Sequence, residues 1–329
     1  MSLEPPKITE ALKAYYDKLF QDGYLVSVHV SKWGMGTQLS KDDLNLESLP
    51  KLFKLGRKML IDPKHLAEFT SIEGKARRYL YSNSYDFPVA EAHFVPRKKV
   101  PQVVESLNKF RTEYQELTAK FIEKYEEYRD EILAEFPDIA EVLRPYYPAK
   151  ETLNDKFSFS YSIFELSVPR QFGEVDIKEL INQELVLDEA KEEAKAEVQK
   201  ELQIQYQQSV AQLERFTEEA ARALRSQIVS MCQSLIDKIA RKDLVTRTSL
   251  NSVRAEIENF RTLNFLDDKA VADEIDKLEK VVDSGLDFRS DAEAIAVLNN
   301  ALTETLNTAN NITDIPHVRG TYFRALKLT

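Results

Sequence analysis

Cysteine occurs once in the 329 residues, at Cys232. A single thiol excludes an internal disulfide framework and any cysteine-based zinc cluster. Glycine is scarce, at eight residues, and proline supplies twelve. Both loop-rich enzymes and all-β barrels spend glycine on turns, so the chain reads as one made mostly of long helices. The four histidines, His29, His65, His93 and His317, are scattered, and none falls in an HExxH-type ligand spacing. No apolar run approaches the ~20 residues that a membrane-spanning helix needs. The start, MSLEPPKITEALKAYY, lacks a basic region followed by an apolar core, so no secretory signal is expected. These absences point to a soluble, intracellular protein.

Catalytic signals are missing in the same way. There is no GxSxG and no cysteine–histidine set. Carboxylate pairs such as Asp42-Asp43 and Glu126-Glu127 lie in highly charged helical stretches and read as solvated faces. The pattern Trp33-Gly34-Met35-Gly36 follows a strand-like segment, but a dinucleotide fingerprint needs a third glycine where Leu39 stands, and no Walker lysine follows. The two glycines are expected to supply backbone at positive φ beside a tryptophan anchor. No catalytic residue, cofactor or metal is called for.

What the chain does have is apolar surface to bury, 43% of its residues, and a net charge of −10 that is unevenly spread. Residues 1–99 hold 16 Lys and Arg against 12 Asp and Glu, whereas 176–329 hold 20 against 28. An acidic molecule is a poor generic binder of nucleic acid, so any such contact is confined to the first third. There Lys75-Arg77-Arg78 and Arg97-Lys98-Lys99 stand near Tyr79, Tyr81 and Tyr85, a mixture of cations and rings that single strands use.

The apolar spacing of 7–21 predicts a helix ended by Asp22-Gly23, and the alternation of Val26, Val28 and Val30 predicts a strand over 24–31. Ser40 is placed to cap a helical region running to Ile61, broken at Asp62-Pro63 and followed by another helix. VAEAHFVP reads as a short strand, and KFSFSYSIFELSV as the clearest one, with Phe157, Phe159 and Tyr161 on one face and serines on the other.

Two long helices dominate. In the first, about 100–135, Val103, Leu107, Phe110, Tyr114, Leu117 and Phe121 follow an a/d seam. The second, about 176–242 and free of glycine and proline, would reach roughly 95 Å at 1.5 Å per residue. Shorter helices at 249–263, 267–283 and 290–310 have Ser249, Asp267 and Ser290 as candidate caps.

The segments VSVHVSKWGMGTQLSKDDLNL, KLGRKMLIDPKHLAEFTSIEGKARRYLYSNS, AHFVP and FSFSYSIFEL, in that order with a helical spacer before the last, resemble an uncharacterised domain-of-unknown-function family. That family occurs in bacteriophages and mobile elements. Its genes are often found near AAA+ ATPases and von Willebrand-type proteins resembling cobaltochelatase subunits. The resemblance covers about residues 20–170 and lends no catalytic residues. It implies a phage- or plasmid-linked partner within a larger assembly in the cytoplasm of a bacterial host cell, one candidate for the other member being an AAA+ ATPase.

The expected architecture is α+β and predominantly α. Residues 1–99 and 151–175 form a small head with an antiparallel sheet. Residues 100–150 and 176–245 form an antiparallel, coiled-coil-like stalk, and 246–329 pack on it. Because one helix is nearly twice as long as the other, part of its seam has no partner in the hairpin, and either the short C-terminal helices or another subunit covers it. Leu213, Phe216, Leu224 and Ile228 are expected as the oligomer or partner surface. The function expected is a non-enzymatic scaffold, with nucleic-acid handling through Arg77, Arg78, Arg97, Lys98 and Lys99 as the alternative.

Overall fold

The computed structural model describes residues 5–40, 56–166 and 188–311, together with 313, 315 and 318. Helix α1 (Pro5–Asp22) runs directly into β1 (Gly23–Ser31), in which Val26 and Val28 are buried and Val30 is partly so. Ser27 is buried as well, so this strand is covered on more than its valine face.

The helix expected from Ser40 to Ile61 needs correction. Residues 41–55 lie outside the described residues, and 57–59 form a strand. β2 (Gly36–Gln38) pairs antiparallel with β3 (Arg57–Met59), Gly36 opposite Met59 and Gln38 opposite Arg57. The three residues of β3 alternate: Lys58 is buried while Arg57 and Met59 face out. That is period two rather than 3.6, too short a run to show in the sequence.

Asp62 caps a 3-10 turn at Pro63–Leu66, accepting from the Lys64 N–H, and α2 (Ala67–Ser82) follows. β4 (Tyr85–Phe87) and β5 (Ala92–Pro96) form an antiparallel hairpin, with Ala90 and Glu91 between them at positive φ. Helix α3 (Val100–Glu135) has the expected bounds but a different buried stripe. Thr118 takes the inward place expected of Leu117, and its hydroxyl is satisfied by donating to the Tyr114 carbonyl at 2.8 Å. The stripe of Val103, Leu107, Tyr114, Thr118, Phe121 and Tyr125 therefore follows an ordinary helical period, not a heptad seam.

A short helical run, containing α4 (Ala140–Leu143), leads to β6 (Ser158–Phe164), whose flanking Phe157 and internal Phe159 point inward and whose serines point out. The sheet order is β4-β5-β1-β6.

Helix α5 (Asp188–Ala240) has 53 residues, about 80 Å of helix. Its expected beginning near residue 175 lies outside the described residues. After it come α6 (Arg247–Leu263), α7 (Lys269–Val282) and α8 (Ala292–Asn310). Their caps are Thr246, Asp268 and Asp291, in place of Ser249, Asp267 and Ser290. The expected Ser249 is instead the third helical residue, donating its N–H to Thr246 Oγ1. The structure is thus mostly helical with a small sheet, the class expected.

The chain divides into two compact units. One comprises Met1–Leu25, Ser84–Val100 and Phe164–Thr329; the other comprises Val26–Asn83 and Pro101–Ile163. The long helices expected to pair as a stalk fall in different units. In the first unit α5 packs along α8, with α1 and α6 against it. Tyr85 is buried there and donates its hydroxyl to the Leu263 carbonyl. The core of the second unit is aromatic. Phe69 stacks on Phe157 at 4.9 Å and meets Tyr114 and Phe121 edge-on, while the Tyr114 hydroxyl donates to the Ser31 carbonyl at 2.7 Å.

Candidate functional site

Leu213, Phe216, Leu224 and Ile228, expected as a partner surface, belong to the interior of the first unit. All four are almost fully buried in one core cluster, and Phe216 meets Phe87 and Phe94 edge-on at 5.1 and 5.7 Å. The reason is coverage by the chain itself. α8, α1 and α6 close over this stretch of α5, so of the two coverings expected, the chain's own helices supply the one observed.

The basic set expected to meet nucleic acid is divided. Arg77 and Arg78 are exposed on α2 in the second unit, Arg77 pairing with Glu73 at 3.1 Å. Arg97, Lys98 and Lys99 belong to the first unit. Arg97 donates to the Phe20 carbonyl and lies over the Tyr24 ring, so much of its reach goes into holding the end of α1. Lys99 is buried and donates to Asn259 Oδ1, and burial lowers its pKa. It is a structural lysine. Lys98 remains exposed.

At the Trp33-Gly34-Met35-Gly36 turn, the residue at positive φ is Met35, fully buried, and neither glycine. Gly36 matters for another reason. A Cβ there would come 2.9 Å from Met59 Sδ and 3.0 Å from the Lys58 carbonyl, so the ribbon's close approach needs glycine. Trp33, expected as an anchor, is partly buried: it meets Tyr125 edge-on at 6.0 Å and packs against the small core of Leu60, Leu133 and Leu143.

That small core positions a surface that is not among the sites expected from the sequence. After α3, Pro137–Ile139 form a 3-10 turn, α4 follows, and Arg144–Tyr146 form another. With steps of three, successive faces of this run differ sharply. Ala140 and Leu143 turn inward onto Leu60. Glu135, Asp138 and Glu141 form an exposed acidic file. Phe136, Ile139 and Val142 form an apolar file that is 46%, 47% and 37% exposed, continued by Tyr146 at 40%. The Tyr146 ring is held in place by Lys58, whose Nζ lies 3.3 Å from its centroid. Four large apolar side chains at 136, 139, 142 and 146, outward on a run whose other face is already buried, are left for something else to cover. The i, i+3, i+6, i+10 spacing was the signal available in the sequence.

Among the described residues no group of His, Cys, Asp and Glu could hold a metal ion, and no helix is long and apolar enough to cross a membrane. Residues 21–227 match the family described as "Protein of unknown function (DUF3150)", and the chain belongs to that family. The match begins at the end of α1 and stops within α5, so α6, α7 and α8 lie beyond it. No curated protein and no solved structure matches the chain.

Proposed function

We propose that this DUF3150 protein is a non-enzymatic interaction protein that holds a partner on the file formed by Phe136, Ile139, Val142 and Tyr146. The observation that carries the reading is that file, apolar and exposed on a segment anchored from behind by Leu143 and Tyr147. The partner's chemistry follows from its border. With Glu135, Asp138 and Glu141 alongside, the complementary surface is an amphipathic helix whose apolar stripe is edged by Lys or Arg. The sequence resemblance suggests where to look: a cytoplasmic assembly of phage or mobile-element origin in a bacterial host, with an AAA+ ATPase as the partner.

Affinity purification of the full chain from its host, in wild-type and Ile139→Asp/Val142→Asp forms, tests this. The reading expects one stoichiometric partner that the variant loses, and that crosslinks to a photoreactive residue placed at position 139. Identical recovery with both forms, or crosslinks only to abundant bystanders, refutes it.

A second reading keeps nucleic acid, on a narrower surface than the sequence offered. On α2, Tyr81 is 69% exposed and Lys75, Arg77 and Arg78 are exposed beside it. A ring among cations on one helix suits a single strand. Binding of a fluorescent oligonucleotide that weakens with salt and with Arg78→Gln/Tyr81→Ala supports it; absence of binding at low salt removes it.

A further inference from the structure

We propose that the second unit carries an oxyanion pocket that takes the phosphate group of a small phosphate monoester. The cavity lies where the last third of α3 faces the 144–150 segment, and has a volume of about 360 Å3. Tyr125, Glu126 and Arg129 line it from α3, and Arg144 and residues 147–150 line it from the segment. Three cations, Arg129, Arg144 and Lys150, thus line a concavity of small-ligand size with one carboxylate, Glu126, while Asp130 and Glu141 pair with the two arginines from outside the lining.

Present partners hold two of these cations, Lys150 and Arg144, loosely. Lys150 Nζ stands 3.5 Å from Glu126 Oε2 and 3.4 Å from the Glu123 carbonyl, both at the outer limit of a hydrogen bond. Arg144 Nη2 stands 3.5 Å from Glu141 Oε1. Arg129 is fixed by its Nε, which donates to Asp130 at 2.8 Å, and its terminal nitrogens make no hydrogen bond among the described residues. Charge-assisted bonds to phosphate form at about 2.7–2.9 Å, so an arriving dianion outcompetes contacts as long as these.

The walls are stiffer than the cations. The Tyr125 hydroxyl donates to the Pro148 carbonyl at 2.8 Å, and the Tyr147 hydroxyl donates to the Leu60 carbonyl. Both donors are committed, so the tyrosines offer ring surface to the organic part of the ligand rather than protons to its phosphate. A dianionic head for the cations and an organic remainder along tyrosine is the chemistry of a phosphate monoester. Inorganic phosphate would leave much of the volume unfilled. Arginine favours the same choice, since its planar fork matches phosphate oxygens two at a time.

Calorimetric titration of the full chain with inorganic phosphate and with phenyl phosphate tests the pocket. Phenyl phosphate is expected to bind more tightly than inorganic phosphate. Arg144→Gln and Lys150→Gln should each weaken phenyl phosphate by roughly tenfold, the loss of one charge-assisted bond. Glu126→Gln should tighten it, by releasing Lys150 and removing the carboxylate that lines the pocket. The three side chains are 61%, 37% and 56% exposed, so folding survives the changes, and a gain from Glu126→Gln has no origin in misfolding. No heat from either probe at 10 mM (about the weakest binding worth calling a site), or one unchanged affinity in all three variants, overturns the proposal. The pocket shares no side chain with the apolar file, so either can fail alone.

Discussion

Arg225 donates from Nε and Nη2 to both carboxylate oxygens of Asp268, at 2.7 and 3.1 Å, with both side chains 2% exposed. Its third donor, Nη1, reaches the carbonyl of Asn311 just past α8. One guanidinium in the last third of α5 therefore ties down the start of α7 and the end of α8, within the apolar core these helices share. Asp268 also caps α7, accepting from the Val271 N–H.

Removing one member of such a buried pair leaves an uncompensated charge, at a cost of about 3–5 kcal/mol. Arg225→Met is expected to lose that much in urea unfolding. Arg225→Met/Asp268→Asn should recover much of the loss, because asparagine is neutral and still caps a helix. A double variant as unstable as Arg225→Met would show that the guanidinium acts by packing and not by charge.

Gly23, at the joint between α1 and β1, has no room for a side chain. A Cβ there would lie 2.5 Å from Phe94 Cζ and 2.5 Å from the Val95 carbonyl oxygen. The ring could turn, but the backbone oxygen belongs to β5 and cannot. Gly23→Ala is expected to cost about 1–3 kcal/mol by overpacking. Gly34→Ala, whose nearest neighbour is the Arg57 side chain at 3.7 Å, should stay within about 0.5 kcal/mol of wild type. Equal denaturation midpoints for the two variants would contradict this reading.

These sites show which parts of the fold were legible in the sequence. The bounds of α3 could be read because Pro101 stands at its start and Phe136-Pro137 at its end, with apolar spacing between that only a helix satisfies. The strand at β6 could be read because Phe157 and Phe159 alternate with serine over enough residues to fix a period. β3 and β4 could not, since three residues carry no period. Which covering lies over Leu213, Phe216, Leu224 and Ile228 was hidden for a different reason. Spacing marks which side of a helix is apolar, but what covers that side depends on elements far along the chain. The exposed file at 136, 139, 142 and 146 was masked by its own neighbours. Pro137, Pro145 and Pro148 made the stretch look like a connection, and its inward residues are as apolar as its outward ones.

Cys232 is fully buried on α5, and desolvation pushes its thiol up to about 12. Little thiolate exists near neutral pH, and no reagent reaches it without opening the first unit. Labelling by a disulfide reagent at pH 7.5 should be at least about 10³-fold slower in native buffer than in urea, in line with ordinary domain stability. Arg225→Met should accelerate native labelling. A native rate equal to the unfolded one would mean that α8, α1 and α6 do not stay closed on α5.

Glu73 on α2 gives the second unit a pH-dependent tie. Lys32 Nζ donates to Glu73 Oε2 at 2.9 Å, and Arg77 Nε donates to Oε1 at 3.1 Å. Partial burial alone would push this carboxyl up, but the hydrogen bonds from Lys32 and Arg77 outweigh it and leave the pKa lowered. The folded state therefore holds its proton less tightly than the unfolded chain does. The stabilisation is complete above the unfolded carboxyl pKa, near 4.3, and is lost as pH falls through the lower folded value. At pH 7 Glu73→Gln should be less stable than wild type by about 1 kcal/mol or less, since Arg77 is solvent-facing. The gap should narrow as the pH drops below about 4, and urea unfolding at pH 7 and pH 3 measures it directly. If the gap is as wide at pH 3 as at pH 7, the loss comes from packing rather than charge, and Lys32→Gln should then leave stability unchanged.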